Sequence, residues 1–392
     1  MDSPVILAAA RTPIGKYQGS LASLSATELG SVAIAAAVER SGVGRDDIDE
    51  VIMGNVLAAG VGQAPARRAA LGAGLPATVA ALTINKVCGS GLEAVMLAAR
   101  AIRSGDAELI VAGGMESMSR APFLAPRNGP PLGDRTLIDS LIHDGLFCSL
   151  SGMSMGAIAD ELAAREAISR KAQDDFALES HRRACRAIQD GAFSAELVPV
   201  KVPSRKGGNL PVSSDEGPRA ETSADRLAGL APAFGCEGSV TAGNASMISD
   251  GAAALVVASP KAAEKLGRKP LARIVASATS GTEPKDLFIA PVPAIHKALD
   301  RAGLSASQID RYELNEAFAA QMLACLRRLD LAPDRVNVHG GAIALGHPIG
   351  ASGTRVLVTL LHELERSNLR LGLAALCLGG GNAVAMVVER TN

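Results

Sequence analysis

An α/β fold with buried, mostly parallel strands is the class this sequence predicts, and three features of the chain predict it. Short apolar runs alternate with amphipathic stretches of helical length. The order strand, turn, helix, strand, glycine cluster occurs in the first third of the chain and again in the last third, as an internal duplication would leave it, although few residues are identical between the two. Between them lies a region of different character, in which prolines and glycines surround helical segments.

The elements follow in order. Val5–Ala9 reads as a strand, Ala26–Ser41 as a helix and Glu50–Asn55 as a strand, with a helical stretch over Pro65–Leu71. Ala80–Asn85 is strand-like and leads into a turn at Lys86–Ser90; Gly91–Arg103 has helical spacing, and Leu109–Ala112 is a strand ending in Gly113–Gly114. The region Met118–Ser246 is an insertion expected to cover the site, with loops at Ala121–Gly133 and Val202–Gly217 and a helix over Asp174–Gln189. Asp250–Ser259 returns to a strand pattern and rejoins the first unit. In the last third, Val336–Val338 is strand-like, a glycine-rich turn follows, Gly353–Glu365 is helical, and Leu373–Leu376 is a strand ending in Gly379–Gly380–Gly381. The expected units are therefore 1–117 with 248–269, an inserted 118–247, and 270–392.

Composition narrows the partners. A chain of 392 residues suits two fused α/β units plus an insertion. Hydrophobic residues make up 48% but aromatic ones only 2%, so the core must be built from Ala, Val, Leu and Ile, which favours close packing of helices on sheet. The glycines cluster without a period, which excludes collagen and points to tight turns near a site. A formal net charge of −1 with no basic stripe makes nucleic acid an unexpected partner. MDSPVILAAARTP starts with an acid and soon meets proline, unlike a secretory signal, and no apolar run reaches the roughly 20 residues a membrane span requires. The six cysteines are scattered with no CxxC pair, so neither a disulfide framework nor a zinc site is expected, and a reducing cytoplasm fits.

Cys88 stands in NKVCGSGLEAV, after a strand and at a helix start, where free N–H groups and the positive dipole end lower a thiol's pKa. Gly89 and Gly91 are expected to let a substrate approach beside the sulfur. A buried, inert role is the expectation for Cys148, Cys185, Cys236 and Cys325. His347, in HGGAIALGHPIGASG, is placed for proton transfer near neutral pH, with Pro348 stiffening the segment and Gly346, Gly350 and Gly353 leaving space around the ring. Cys377 ends the strand LAALC, where it is either a base or a packed core residue; the glycines after it expose N–H groups suited to an oxyanion hole. A nucleotide-binding loop does not fit there, because G-x-G-x-x-G is absent. Asn315 and Glu316 lie in ELNEAFAAQ, where the pattern predicts that a strand meets a helix; Asn315 either orients a water or an oxyanion, or caps the helix.

Taken together, ARTPIGK, NKVCGSG, GGMES, AGNAS, NEAFA, GGAIALGHPIGASG and CLGGGNA, in that order over essentially the whole chain, resemble the thiolase family. The resemblance implies two βαβαβαββ halves in a five-layered α/β/α/β/α sandwich with a loop domain inserted in the first half. It implies that Cys88 becomes acylated, that His347 takes its proton, and that Cys377 exchanges a proton with the α-carbon of the second acetyl-CoA. One oxyanion hole would use His347 and a water held by Asn315; the other would use the backbone N–H groups of Cys88 and Gly379. Ser246 and Arg219 would meet the CoA, and Met155 and Phe318 would line the acyl pocket. Acyl-CoA and CoA are the implied substrates, with no metal or redox cofactor, and a homotetramer is the implied assembly. A β-ketoacyl synthase, which usually carries two catalytic histidines in place of the second cysteine, and a non-catalytic binder of acyl or sterol thioesters are the alternatives. The chain departs from the short-chain biosynthetic pattern at Ser154, where a histidine is usual, and at Leu287–Phe288–Ile289–Ala290, which replaces a Met-Gly-x-Gly stretch. Both departures are expected to alter acyl preference.

Overall fold

A computed structural model describes residues 3–128, 132–204 and 207–391. Parts of the Ala121–Gly133 and Val202–Gly217 stretches, and the first two residues of the chain, lie outside the described residues. The first repeat supplies β1 (Val5–Arg11), α1 (Ala26–Ser41), β2 (Glu50–Gly54), α2 (Pro65–Gly72), β3 (Ala80–Ile84), α3 (Ser90–Ser104) and β4 (Leu109–Ser117). The inserted region carries α4 (Met155–Arg165) and α5 (Arg170–Gln189), after which the chain re-enters the sheet as β5 (Ser249–Ala258). The second repeat supplies β6 (Ala272–Gly281), α6 (Pro291–Ala302), β7 (Arg311–Leu314), α7 (Ala319–Leu329), α8 (Ala342–Leu345), α9 (Ser352–Arg366), β8 (Leu371–Leu378) and β9 (Asn382–Arg390).

Local signals set several boundaries. Ser25 accepts from Glu28 N while the Glu28 carboxylate accepts from Ser25 N, a capping box that opens α1, and Gly42 closes it at φ 64°. Ser169 caps α5, so that helix starts at Arg170, a turn before the expected Asp174. The strand that was expected to stop at Gly113–Gly114 runs on to Ser117, because its ladder with β5 continues unbroken through both glycines. Val336–Val338 is not a strand. Its one bridge, Val336 to Tyr312, gives way to the Asn337 side chain, which accepts from Leu314 N at 2.9 Å and donates to Leu314 O at 2.8 Å in place of a backbone ladder.

The main sheet has the order β7-β8-β9-β6-β1-β5-β4-β2-β3. Its strands are not mostly parallel: β2 runs parallel to β3 and β4, and β7 to β8, whereas the five other pairings are antiparallel. Two connections reverse the expectation. Gly379–Gly381 is a tight hairpin between β8 and β9, with Gly380 and Gly381 at φ 81° and 90°, and the long insertion brings β5 back beside β4 with no helical crossover to impose a direction. β1 and β6 pair over only Val5–Arg273 and Ile6–Ala272, a narrow seam between the halves. Across it, α3 and α9 pack on each other and on strands of both halves, while α1 and α2 cover one outer face and α6 the other. The result is the expected five layers. Leu92, Val95 and Met96 of α3 share one buried cluster with Val356, Leu357 and Leu360 of α9, which places the main core in the middle layer.

A buried ion cluster fastens the insertion to this frame. Arg11, fully buried on β1, donates to Glu196 at 2.6 Å and to both carboxylate oxygens of Asp215 at 2.7 and 2.9 Å. Removing one partner would strand a buried charge, so Asp215→Ala is expected to lower the unfolding free energy in urea by about 3–5 kcal/mol; a loss under about 1 kcal/mol would show that Arg11 is satisfied without it. Among the described residues, no helix is long and apolar enough to cross a membrane.

Candidate active site

Cys88 sits in a strained turn between β3 and α3. Val87 holds φ +48°, a left-handed conformation that for a β-branched residue costs about 1–3 kcal/mol and marks a functional turn. Two side chains hold it there. Asn85 Oδ1 accepts from Val87 N at 3.0 Å, and Ser90 Oγ accepts from Lys86 N at 2.8 Å while donating to Val87 O at 2.6 Å. Gly89 and Gly91 serve packing and not substrate approach: a Cβ would meet the Leu378 side chain at 2.7 Å in the first case and Thr354 N at 2.8 Å in the second.

His347 lies between α8 and α9. Gly346 makes the bend at φ 112°, and His347 N donates to Met247 O at 2.9 Å. The Ser352 hydroxyl donates to Pro348 O at 2.9 Å, so its oxygen accepts from Nδ1–H of His347 at 2.5 Å. This network leaves Nε2 unprotonated, 3.4 Å from Asn315 Nδ2. Burial, helped by the positive charge of Arg355, pushes the imidazole down to about 3, so the ring is neutral with its lone pair available. Gly350 and Gly353 do not open space around the ring; they admit the backbone of the first half, with Leu92 N only 2.4 Å from a Cβ placed at Gly353. Asn315 and Glu316 occupy the loop between β7 and α7, which starts at Ala319, so neither caps that helix.

Cys377 is buried near the end of β8. Burial pushes its thiol well above the usual range, and the neighbouring Cys88 and Cys325 add to the rise. Cys88 is also moved upward, to about 11, by burial; the N–H of Gly379 and the residue's own N–H pull the other way, and the Glu116 carboxylate pushes up. The expected lowering by the helix end is therefore outweighed by desolvation. Both sulfurs are thiols at neutral pH. The Cys88 alkylation rate by iodoacetamide should thus climb about tenfold per pH unit from 7 to 10, as thiolate forms below a pKa near 11; a plateau near pH 7 would contradict this. Of the other cysteines, Cys148 and Cys325 are buried, but Cys185 is half-buried and Cys236 exposed, so an inert core role does not fit the last two.

One cavity of about 460 Å³ brings the expected residues together: Cys88, His347, Cys377 and Gly379, then Met155, Leu287, Phe288 and Phe318, then Ser246 and Arg219. Asn315 is off the lining and reaches it through His347. Phe288 and Phe318 meet edge to face at 5.2 Å, and Phe234 meets Phe318 at 6.4 Å, which walls the cavity with rings in a chain almost devoid of aromatics. Ser154 is not on the wall; its hydroxyl accepts from Ala157 N at 3.2 Å and caps α4, which presents Met155 instead. Sequence reasoning missed Ser352 and Glu116. A serine at the start of α9, five residues after His347, was one signal; a fully buried carboxylate in the otherwise apolar strand LIVAGGMES was the other.

The chain is similar to known proteins along its whole length. The family model "Thiolase, N-terminal domain" matches residues 4–261, and "Thiolase, C-terminal domain" matches residues 268–390. The acetyl-CoA acetyltransferase of Escherichia coli (strain K12) is 53% identical over 395 residues, covering 100% of both chains, and that of Cupriavidus necator is 53% identical over 392 residues, again covering 100% of both. The crystal structure of the Bacillus anthracis acetyl-CoA acetyltransferase superposes with a TM-score of 0.97 at 43% identity, covering 100% of this chain and 99% of that one.

Proposed function

The chain belongs to the thiolase family, and we propose that it is an acetyl-CoA acyltransferase that reversibly makes and breaks the carbon–carbon bond of a short 3-ketoacyl-CoA through an acyl-cysteine. The observation that carries this is the convergence of Cys88, His347 and Cys377, from three distant motifs, on one cavity with the Gly379 N–H directed at the Cys88 sulfur.

In cleavage, Cys88 passes its proton to His347 Nε2 and its sulfur attacks the 3-keto carbonyl carbon. The C2–C3 bond breaks, and the carbanion on C2 takes the proton of the Cys377 thiol, so acetyl-CoA leaves. The incoming CoA thiol then gives its proton to the Cys377 thiolate and attacks the acetyl carbonyl, while the Cys88 sulfur departs and recovers its proton from His347. Every group ends as it began. Burial keeps Cys377 protonated, which suits the donor it must be at the first step. The tetrahedral oxyanion would lie against the N–H groups of Cys88 and Gly379, and the enolate oxygen against His347 and a water held by Asn315; each such donor typically lowers the barrier by about 3–4 kcal/mol. Thiol is the right chemistry because it is both a good nucleophile and a good leaving group.

Pantetheine would pass Ser246, and the nucleotide would lie toward Arg219. The substrates are acyl-CoA and CoA, and no further cofactor enters these steps. Two catalytic thiols call for reducing surroundings, which supports a cytoplasmic location. Exposed Phe123, Leu137, Ile142, Phe147 and Leu150, all from one stretch of the insertion, support assembly as a homotetramer. We keep the division into 1–117 with 248–269, 118–247 and 270–392 as the unit boundaries.

A short acyl group is favoured by the ring wall and by the names of the relatives. Thiolysis of acetoacetyl-CoA and of a longer 3-ketoacyl-CoA, each with CoA and followed by mass spectrometry, tests both activity and length. Phe288→Gly should raise the relative kcat/KM for the longer substrate by about 10-fold or more, the scale of a methylene or two in an apolar pocket. Ser154→His should shift it less, since Ser154 is off the wall. An unchanged chain-length profile in Phe288→Gly would contradict the assignment.

A further inference from the structure

Glu116, the penultimate residue of β4, is fully buried and has no ion-pair partner among the described residues. Its carboxylate accepts four hydrogen bonds. Oε2 takes Val56 N at 3.0 Å and Gly350 N at 2.8 Å; Oε1 takes Asn55 Nδ2 at 2.7 Å and Leu57 N at 3.2 Å. Burial pushes this carboxyl up to about 7, while the four donors, with no acceptor beside it, pull it back toward the ionised form, which only accepts. Three donors come from the loop that leaves β2 in the first half. The fourth, Gly350, lies three residues after His347 in the second half.

The packing around Gly350 is built for this contact. A Cβ at Gly350 would sit 2.6 Å from Glu116 Oε2, and the Gly350 carbonyl lies in a nest where a Cβ at Gly54, Gly91 or Gly114 would approach it to 2.8, 3.1 or 2.1 Å. Glycines from four separate segments thus clear the space in which the His347 segment lies down on the first half. Cys88 belongs to that first half. The alignment of nucleophile and base therefore depends on how the two halves are joined at this point.

We propose that Glu116 is a positioning residue that latches the His347 segment to the half of the molecule bearing Cys88, and so sets the alignment between the two. This rests on the thiolase reading above. Glu116 touches no substrate; it acts through Gly350 and the Asn55–Leu57 loop. Glutamine keeps the volume but turns an NH₂ toward two N–H donors, and so loosens the latch without opening a cavity.

The test compares wild type, Glu116→Gln and the milder Asn55→Ala in acetoacetyl-CoA thiolysis, with rates expressed per site that acetyl-CoA can acetylate, counted by mass spectrometry, and with the thermal midpoint recorded. Glu116→Gln should lower kcat roughly a hundredfold, the effect of a misplacement near 1 Å, with KM within about threefold of wild type; Asn55→Ala should change in the same direction by less. Wild-type kcat per acetylatable site in both variants, whether or not the midpoint falls, would overturn the proposal and leave a purely structural role. Absence of thiolysis in the wild type would instead overturn the thiolase reading itself.

Discussion

Cys88→Ala is expected to abolish thiolysis of acetoacetyl-CoA, lowering kcat by about 10⁴-fold or more, while CoA binding and the thermal midpoint stay close to wild type. The loss is large because no other group in the cavity replaces it. Cys377 is deeper and is pushed further from ionisation, and Cys325 is buried with its thiol 3.3 Å from Phe288 O. Folding should be little affected, because the turn is held by Asn85 and Ser90 and not by the sulfur. Steady-state kinetics with isothermal titration of CoA checks both parts. Residual turnover within about tenfold of wild type would remove Cys88 from the nucleophile's role.

Cys377→Ala should separate the two halves of the reaction. Carbon–carbon cleavage should fall by about 10²–10⁴-fold, the usual contribution of a positioned acid or base, because a carbanion at C2 needs a proton at the moment it forms. Exchange of label between CoA and acetyl-CoA should persist at a reduced rate. There the leaving atom is a thiolate, a weak base with a thiol pKa of about 8.5, which departs without prior protonation, and His347 still serves Cys88. The measurement is cleavage and exchange on the same preparation. Equal loss of both would place Cys377 in acyl transfer and not at the α-carbon.

Much of the site was legible because its chemistry is written in contiguous motifs. Cys88, His347 and Cys377 each stand at an element end flanked by glycine, and the structure gathers all three at one cavity. What each glycine does was not legible. Gly89 and Gly91 read as openings for substrate, and Gly350 and Gly353 as space around the imidazole, yet the four admit Leu378, Thr354, Glu116 and Leu92 from distant parts of the chain. Strand direction was hidden for a similar reason. A buried parallel strand and a buried antiparallel one have the same apolar run, and only the hairpin at Gly379–Gly381 marked a reversal locally. Val336–Val338 misled because its ladder bonds are made by the Asn337 side chain. The direction of the Cys88 pKa was set by desolvation, which depends on how walls from distant segments close around the turn and not on the helix that follows it.

The most direct test of the acyl-cysteine route is to quench the protein after mixing with acetyl-CoA, digest it, and locate the acetyl group by mass spectrometry, with CoA then added to a parallel sample. An acetyl thioester on the Cys88 peptide that disappears as CoA is converted to acetyl-CoA is the expected result. An unmodified Cys88 peptide in a preparation that cleaves acetoacetyl-CoA, or a stable acetyl group on any other residue during turnover, would contradict it.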